Sequence, residues 1–325
     1  MQTAAYVGLR LRGVAGAAVS FVGFGLPALG LMMALSALFQ RTHELPAVVA
    51  AFSGLQAVIV AVAANATVAF GRTSVKGWPH AVIGAVAAAL FGWEVNPVVV
   101  IVLAGALGLA IIPASAPAQG SGPGRTHLPH TLRAVAVIGV VALLGFVVLW
   151  MWQRRLFELA ALMSRIDLFA FGGGFSSVPL MFHETVEVRH WLDGPTLLNG
   201  IVLGQVTPGP IVITATFVGC LLAGVAGGMV ATVAVFLPSF LVVVGVAPYF
   251  DRLRSSRVFT RAISGVLCCF VGLLLTVTIR FGWQVQWDWL HAALAVGAFA
   301  ALFMKADILW VVLVGAGVSV VAFWK

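Results

Sequence analysis

Apolar residues run through this chain in long continuous stretches separated by short polar breaks, and they do not alternate with polar residues. No charged side chain lies between Asp193 and Asp251. At ~20 residues per helical crossing, residues 194–250 therefore predict two membrane spans joined by a turn. Further candidate spans are residues 15–38, 46–70, 80–112 (a short pair broken near Trp93-Glu94-Val95-Asn96-Pro97), 133–152, 258–280, 286–304 and 307–323. Together they give roughly nine or ten spans. Continuous apolar runs fit helices, whose backbone bonds close within the segment, and exclude barrel strands. The expected fold is an all-α polytopic membrane protein.

The same pattern occurs twice. Residues 3–27 reappear at 214–238 with a constant offset of 211, and 13 of those 25 positions are identical. The matches include Gly13-Val14-Ala15-Gly16 with Gly224-Val225-Ala226-Gly227 and Leu26-Pro27 with Leu237-Pro238. The register continues through Ser53-Gly54 and Ser264-Gly265 to Phe70-Gly71 and Phe281-Gly282. Two homologous repeats with broken helices follow, a pattern of secondary transporters that hold substrate between related halves. The expected organisation is a first repeat over 1–112, a linker over 113–131 rich in Pro, Gly and Ser, and a second repeat over 132–325. Upstream of residue 214 the offset points before Met1, so the first repeat is expected to lack its N-terminal part. A late start codon, a truncated remnant, or a homodimer or partner half supplying the missing segment would each account for this. Whether the copies are inverted, and whether residues 156–181 cross the membrane or re-enter it, stays open at this level.

Composition agrees with lipid as the solvent: 62% of residues are hydrophobic and 9% charged, with a mean hydropathy of +1.10. In a soluble protein a net charge of +8 would suggest nucleic acid. Here the basic residues sit in short loops and report topology instead. Arg252, Arg254, Arg257 and Arg261 place their loop in the cytoplasm, and Arg154-Arg155 and Arg72 with Lys76 add weaker votes. Cys220, Cys268 and Cys269 lie in apolar sequence without metal-site spacing, so neither metal nor cofactor is expected.

Two interruptions carry candidate chemistry. Phe171-Gly172-Gly173-Gly174-Phe175-Ser176-Ser177-Val178-Pro179 removes three Cβ atoms in a row, which lets backbone approach a ligand and disfavours continuous helix. In Gln205-Val206-Thr207-Pro208-Gly209-Pro210 each proline removes an amide donor and restricts the residue before it, so the helix should unwind and restart. A helix restarting inside a membrane presents free N–H groups and a positive dipole end, which suit a compact anion. Amides near Ser176, Ser177 and Ile211, the hydroxyls of Ser177 and Thr207 and the Gln205 amide are the expected binding set. Close helix packing at the glycines and simple kinks at the prolines are the structural alternative. Between the motifs, Glu184 and Glu187 lie three apart on one helical face near Arg189 and His190, suited to proton relay or gating or to a plain solvated loop. Arg165 and Asp167 form a mutual ion pair, or serve anion attraction and proton coupling separately.

At these residues the chain resembles the chromate transporter family of bacterial inner-membrane proteins. The resemblance rests on Phe171-Gly172-Gly173-Gly174 with Pro179, on Glu187, Arg189 and Trp191-Leu192, on Gln205 to Pro210, and on Phe236-Leu237-Pro238-Ser239-Phe240. It implies export of chromate driven by the proton motive force, hence chromate resistance, with protons and the lipid bilayer as the other partners. Sulfate or another tetrahedral oxyanion is the alternative cargo. His190 stands where the family pattern has glycine, and Asp167 where a small residue is usual. An enzyme is the rival class, but the seven histidines fall mostly in loops and make no His-Glu-x-x-His pair, so the reading is a transporter.

Overall fold

A computed structural model of the chain describes residues 1–113, 128–170, 174–249, 253 and 255–323. Among them are α1 (Gln2–Thr42), α2 (Pro46–Ser74), α3 (Trp78–Gly92), α4 (Pro97–Ile111), α5 (Leu128–Trp152), α6 (Arg154–Phe169), α7 (Gly174–Phe182) and α8 (Gly194–Val206). The chain continues through α9 (Thr214–Val246), α10 (Arg257–Gln284), α11 (Trp289–Phe303) and α12 (Ile308–Phe323). No strand occurs among the described residues, and five helical stretches are long and apolar enough to cross a membrane. The protein is an all-α, multi-pass membrane protein.

The repeat is visible in the backbone along its whole length. Adding 211 to the starts of α2, α3 and α4 gives the starts of α10, α11 and α12. Within α1 the chain breaks at Arg12 (φ −136°, ψ 25°) and Gly13 (φ 63°, ψ −153°); within α9 it breaks at Ala223 (φ −146°, ψ 30°) and Gly224 (φ 59°, ψ −148°). Each break folds a short arm back onto a long one. Gly8 then lies against the Gly16 carbonyl and Gly219 against that of Gly227, where a Cβ would collide with backbone. In an unbroken helix such residues would stand about 12 Å apart. Glu94 (φ 59°) and Lys305 (φ 67°), also 211 apart, end α3 and α11 in the same left-handed conformation.

The two copies run in opposite directions. Thr67 on α2 bonds Thr278 on α10 at 3.3 Å, Gly71 faces Val271, and the Cys268 thiol reaches the Ser74 carbonyl at 3.7 Å. Positions that rise along α2 therefore meet positions that fall along α10. The long arms of α1 and α9 pair likewise, with Phe21 on Phe236 and Phe240, and Phe39 near the far end of α1 meets Phe217 on the short arm of α9. Thr67 and Thr278 are equivalent residues, so the axis relating the copies passes between them and across both helices. In a bilayer that axis lies in the membrane plane, the arrangement of inverted repeats. Each copy lends its short hairpin to the other, α3 and α4 packing on α10 and α11 and α12 on α2. Gly108 meets Gly265 and Ser319 meets Gly54 at equivalent positions.

Residues 154–206 have no counterpart among α1–α4. Ser164 on α6 donates to the Ala234 carbonyl at 3.0 Å, the acceptor left open by the missing N–H of Pro238, and Asp167 accepts from the Ser239 N–H at 2.6 Å. Of the two roles expected for Asp167, pairing with Arg165 or proton coupling, the ion pair is not formed, and the carboxylate seals the kink of α9. Arg165 reaches Glu184 at 2.7 Å, which requires the chain to fold back between α6 and α7. Residues 156–181 re-enter and do not cross. A second fold-back joins α8 to the short arm of α9, since Gly204 lies against Thr214 and Gly200 against Phe217. Residues 194–250 are therefore a half-depth hairpin followed by one span, not the two spans expected. Half-helices of this length are as apolar as full crossings, which is why hydropathy alone does not separate them. α5 packs on α6 and α9 from outside with its apolar surface outward.

The Arg12-Gly13 break of α1, the starts of α5 and α10 and the end of α2 share one end of the bundle, which carries Arg10, Arg12, Arg72, Lys76, Arg133, Arg257 and Arg261. Arg154 and Arg155 lie at the other end, against the vote they were given, with Glu44, Asp193 and Asp288. Arg252 and Arg254 fall outside the described residues. The basic end is the cytoplasmic one by the positive-inside rule. Cysteines at Glu44 and Ser255, equivalent loop positions, should therefore label with an impermeant thiol reagent from opposite sides; labelling of both from one side contradicts the inversion. His190 holds a left-handed φ of 51°, so His190→Gly should raise unfolding stability by about 1 kcal/mol in a denaturation series.

Candidate functional site

The turns of the two fold-back hairpins meet. α8 stops at Val206 because Pro208 and Pro210 cannot donate; Thr207 (φ −73°, ψ 121°) and Pro210 (φ −74°, ψ 136°) are extended, and a 3₁₀ turn, Ile211–Ile213, leads into α9. α7, which begins at Gly174, packs against that turn. Phe171, Gly172 and Gly173 lie outside the described residues, as does the side chain of Ser176. Two helices thus start side by side, each offering the unpaired N–H groups and positive dipole end of a helix N-terminus. Gly209 presses on Ala28, midway along the long arm of α1, where a Cβ would collide.

Thr207 and Ser177 are buried beside the turns, whereas Pro208 and Gly209 at the tip of the second turn are exposed. Thr207 is 3% exposed; its hydroxyl donates to the Leu203 carbonyl at 2.9 Å and lies 3.8 Å from the Met32 sulfur. Turned that way, it offers an anion only oxygen lone pairs, so binding through Thr207 needs a rotation about χ1. Ser177 is buried beside Val178 and Pro179 and is engaged by a neighbour. The Gln205 amide nitrogen is buried with no hydrogen-bond partner. It borders a cavity of about 20 Å³ walled by Ile59, Val62, Val178, Pro179 and Phe281. That volume holds about one water. A tetrahedral oxyanion is several times larger, so the cavity beside Gln205 must widen to admit one.

Above the turns stand two ion-paired groups. After α7 the helix widens into a π turn, His183–Val188, closed by the Arg189 N–H on the Glu184 carbonyl at 3.1 Å. In an α-helix Glu184 and Glu187 would share one face, as expected from their spacing. The wide turn separates them. Glu184 faces Arg165 (2.7 Å) and Arg189 (3.8 Å), and Arg189 also covers the Trp191 ring at 4.9 Å. Glu187 faces His183 at 2.7 Å and Arg280, which in turn donates to the Phe91 carbonyl at 2.8 Å. Arg280 was missed by sequence reasoning because it coincides with the end of an apolar run and reads as its boundary. Glu187, Arg280, Thr276 and Gln284 line a cavity of about 390 Å³ beside Trp283 and Glu94.

Residues 1–109 and 157–320 match the chromate transporter family. An uncharacterized transporter of Methanocaldococcus jannaschii is 36% identical over 317 residues, 96% of this chain and 78% of its own. A chromate transport protein of Pseudomonas aeruginosa is 29% identical over 84% of this chain and 65% of its own, and one of Cupriavidus metallidurans is 32% identical over 38% and 30%. The chain thus spans less than two thirds of either chromate transport protein. No solved structure matches it. The matched segments take in both inverted copies and the two fold-back hairpins and omit residues 110–156 with the peripheral α5, and on that coverage the chain belongs to the chromate transporter family.

Proposed function

We propose that this protein exports chromate, a tetrahedral dianion, from the cytoplasm across a bacterial inner membrane and so confers chromate resistance. Transport of chromate-type ions is the activity of its family; direction, driving force and site are the proposal. The observation that carries it is the meeting of two helix N-termini at the hairpin turns beside the unpartnered Gln205 amide. The binding set is the backbone around Gly172 to Gly174 and Ile211 with the side chains of Ser176, Ser177, Gln205 and Thr207, while Pro208, Gly209 and Pro210 hold the chain open. Such donors bind an anion without a buried cation, which would hold it too tightly to release. Sulfate has the same shape and charge and is the expected competitor.

An inside-negative membrane potential already drives a dianion outward by about 4–5 kcal/mol per 100 mV, from ~2.3 kcal/mol per charge. The electrical part of the proton motive force is therefore sufficient on energetic grounds. Of the three candidate carboxylates, proton coupling falls to Glu187, which lines the larger cavity, with Glu184 and Asp167 engaged elsewhere. Whether a homodimer or a partner half completes the site belongs to the same proposal.

Chromate efflux from loaded cells or proteoliposomes tests this reading. Gln205→Leu should lower flux by about tenfold or more, since one lost donor to an anion is worth ~1.5–3 kcal/mol, and Arg257→Gln at the cytoplasmic loop should change it by less than about twofold because solvent screens that charge. Equal effects of the two substitutions would remove the hairpin turns from the pathway. Glu187→Gln with Arg280→Gln, which avoids stranding a buried charge, should retain efflux under an imposed membrane potential and lose any dependence on a pH gradient. Retention of that dependence would remove Glu187 from coupling.

A further inference from the structure

Two histidines stand at equivalent positions of the inverted copies. Trp78-Pro79-His80-Ala81 and Trp289-Leu290-His291-Ala292 align at the offset of 211, a match beyond those that revealed the repeat. Both histidines lie in the first turn of a helix, α3 and α11, and not in loops. Each begins the short hairpin that one copy lays on the long helix of the other, and each long helix carries the repeated Ser-Gly pair, Ser53-Gly54 on α2 and Ser264-Gly265 on α10. Two copies that have diverged at most positions have thus kept the same serine and the same histidine at two hairpin contacts, one near each end of the bundle.

The two contacts differ in state. At the outer end His291 is 5% exposed; its Nε2 lies 3.0 Å from the Ser53 hydroxyl and its Nδ1 2.8 Å from Asp288. The backbone N–H of His291 also bonds Asp288, which holds that carboxyl below the usual range. A carboxylate only accepts, so Nδ1 carries the proton; in the neutral ring Nε2 then accepts from the Ser53 hydroxyl. At the cytoplasmic end the corresponding bond is not made. The Ser264 hydroxyl donates to the Thr260 carbonyl at 2.8 Å, and the His80 Nδ1 is buried without a partner. Gly77 stands at the position of Asp288, with an extended backbone and no side chain to orient the ring.

We propose that Ser53 with His291 and Ser264 with His80 are alternate latches, one at each membrane face, that close in turn as the transporter cycles. This rests on the transporter reading. An inverted-repeat protein changes which face is open by exchanging the conformations of its two copies, and here one latch is made while its equivalent is not. Asp288 biases the resting protein toward a closed outer face and an open cytoplasmic face, the state that an exporter needs to load its cargo. His80, His291, Ser53 and Ser264 are positioning residues in this scheme and touch no anion.

Distances between spin labels placed off the latch residues, measured by double electron–electron resonance, test it. In a background lacking Cys220, Cys268 and Cys269, one label pair at Glu44 and Trp287 reports the outer face, and the equivalent pair at Ser255 and Lys76 reports the cytoplasmic face. His291→Ala should move the outer pair from the short to the long population by about 2- to 10-fold, the worth of one net hydrogen bond, and lengthening there should accompany shortening at the cytoplasmic pair. Gly77→Asp, where the backbone is extended and a Cβ would meet only the Pro79 ring at ordinary contact distance, should shift both pairs the same way without removing any contact. Unchanged distributions in both variants, or two faces that shorten together, would overturn the latches. The distances need no cargo: anticorrelated faces in a protein that moves no chromate would refute the proposed function and keep the latches, whereas chromate flux with unchanged distances in both variants would do the reverse.

Discussion

A backbone group freed inside a bilayer has no water to turn to, and this chain frees several. Pro238 opens a carbonyl in the middle of α9, the Pro208 and Pro210 pair ends α8 inside the bundle, and the fold-back after α6 ends another helix there. Each such break is tolerable only where protein supplies the lost partner. The packing around the site follows from that demand. Ser164 and Asp167 bond the two groups at the Pro238 kink, which fixes α6 on α9; α6 positions the first hairpin, and that hairpin brings the start of α7 against the turn after Pro210. The start of α7 and the 3₁₀ turn leading into α9 pack against each other.

Inversion explains why the rest of the molecule is interleaved. Because α2 and α10 cross at Thr67 and Thr278 in opposite directions, each copy's short hairpin reaches the other copy's long helix. Neither copy is a separable half. The copies are also not equal. α10 carries Arg261 and Arg280, which bond the last carbonyls of α4 and α3, whereas the equivalent positions of α2 are Ala50 and Ala69. Those arginines fix the α3 and α4 hairpin to α10, while the opposite hairpin depends on Gly54 and Ser319, Ser53 and His291. Related hairpins are thus attached unequally at the two ends of the bundle.

Much of this was legible in the residues. Identity at a fixed offset found the repeat, and the proline pair found the unwound turn, because proline chemistry is local and acts wherever it occurs. Identity has no direction, so inversion could be read only once Thr67 met Thr278. Likewise a run of apolar residues shows that a segment avoids water without showing that it crosses, and the hairpins of α6 with α7 and α8 with α9 were lost for that reason. The split between Glu184 and Glu187 depends on a π turn that no spacing rule anticipates, and the employment of Asp167 at Ser239 depends on a kink in a distant helix. His190 was legible as an oddity, and its positive φ gives the cause.

The account stands on the hairpin turns as the place where the anion is held. Its most direct test is the structure of the protein with bound chromate or selenate, located by the anomalous signal of the chromium or selenium. The account predicts one anion between the N-terminal amides of α7 and the Ile211–Ile213 turn, within hydrogen-bond distance of the Gln205 amide, in a cavity grown well beyond the present 20 Å³. An anion lodged instead against Arg280 in the outer cavity, with the turns still closed on each other, would contradict it.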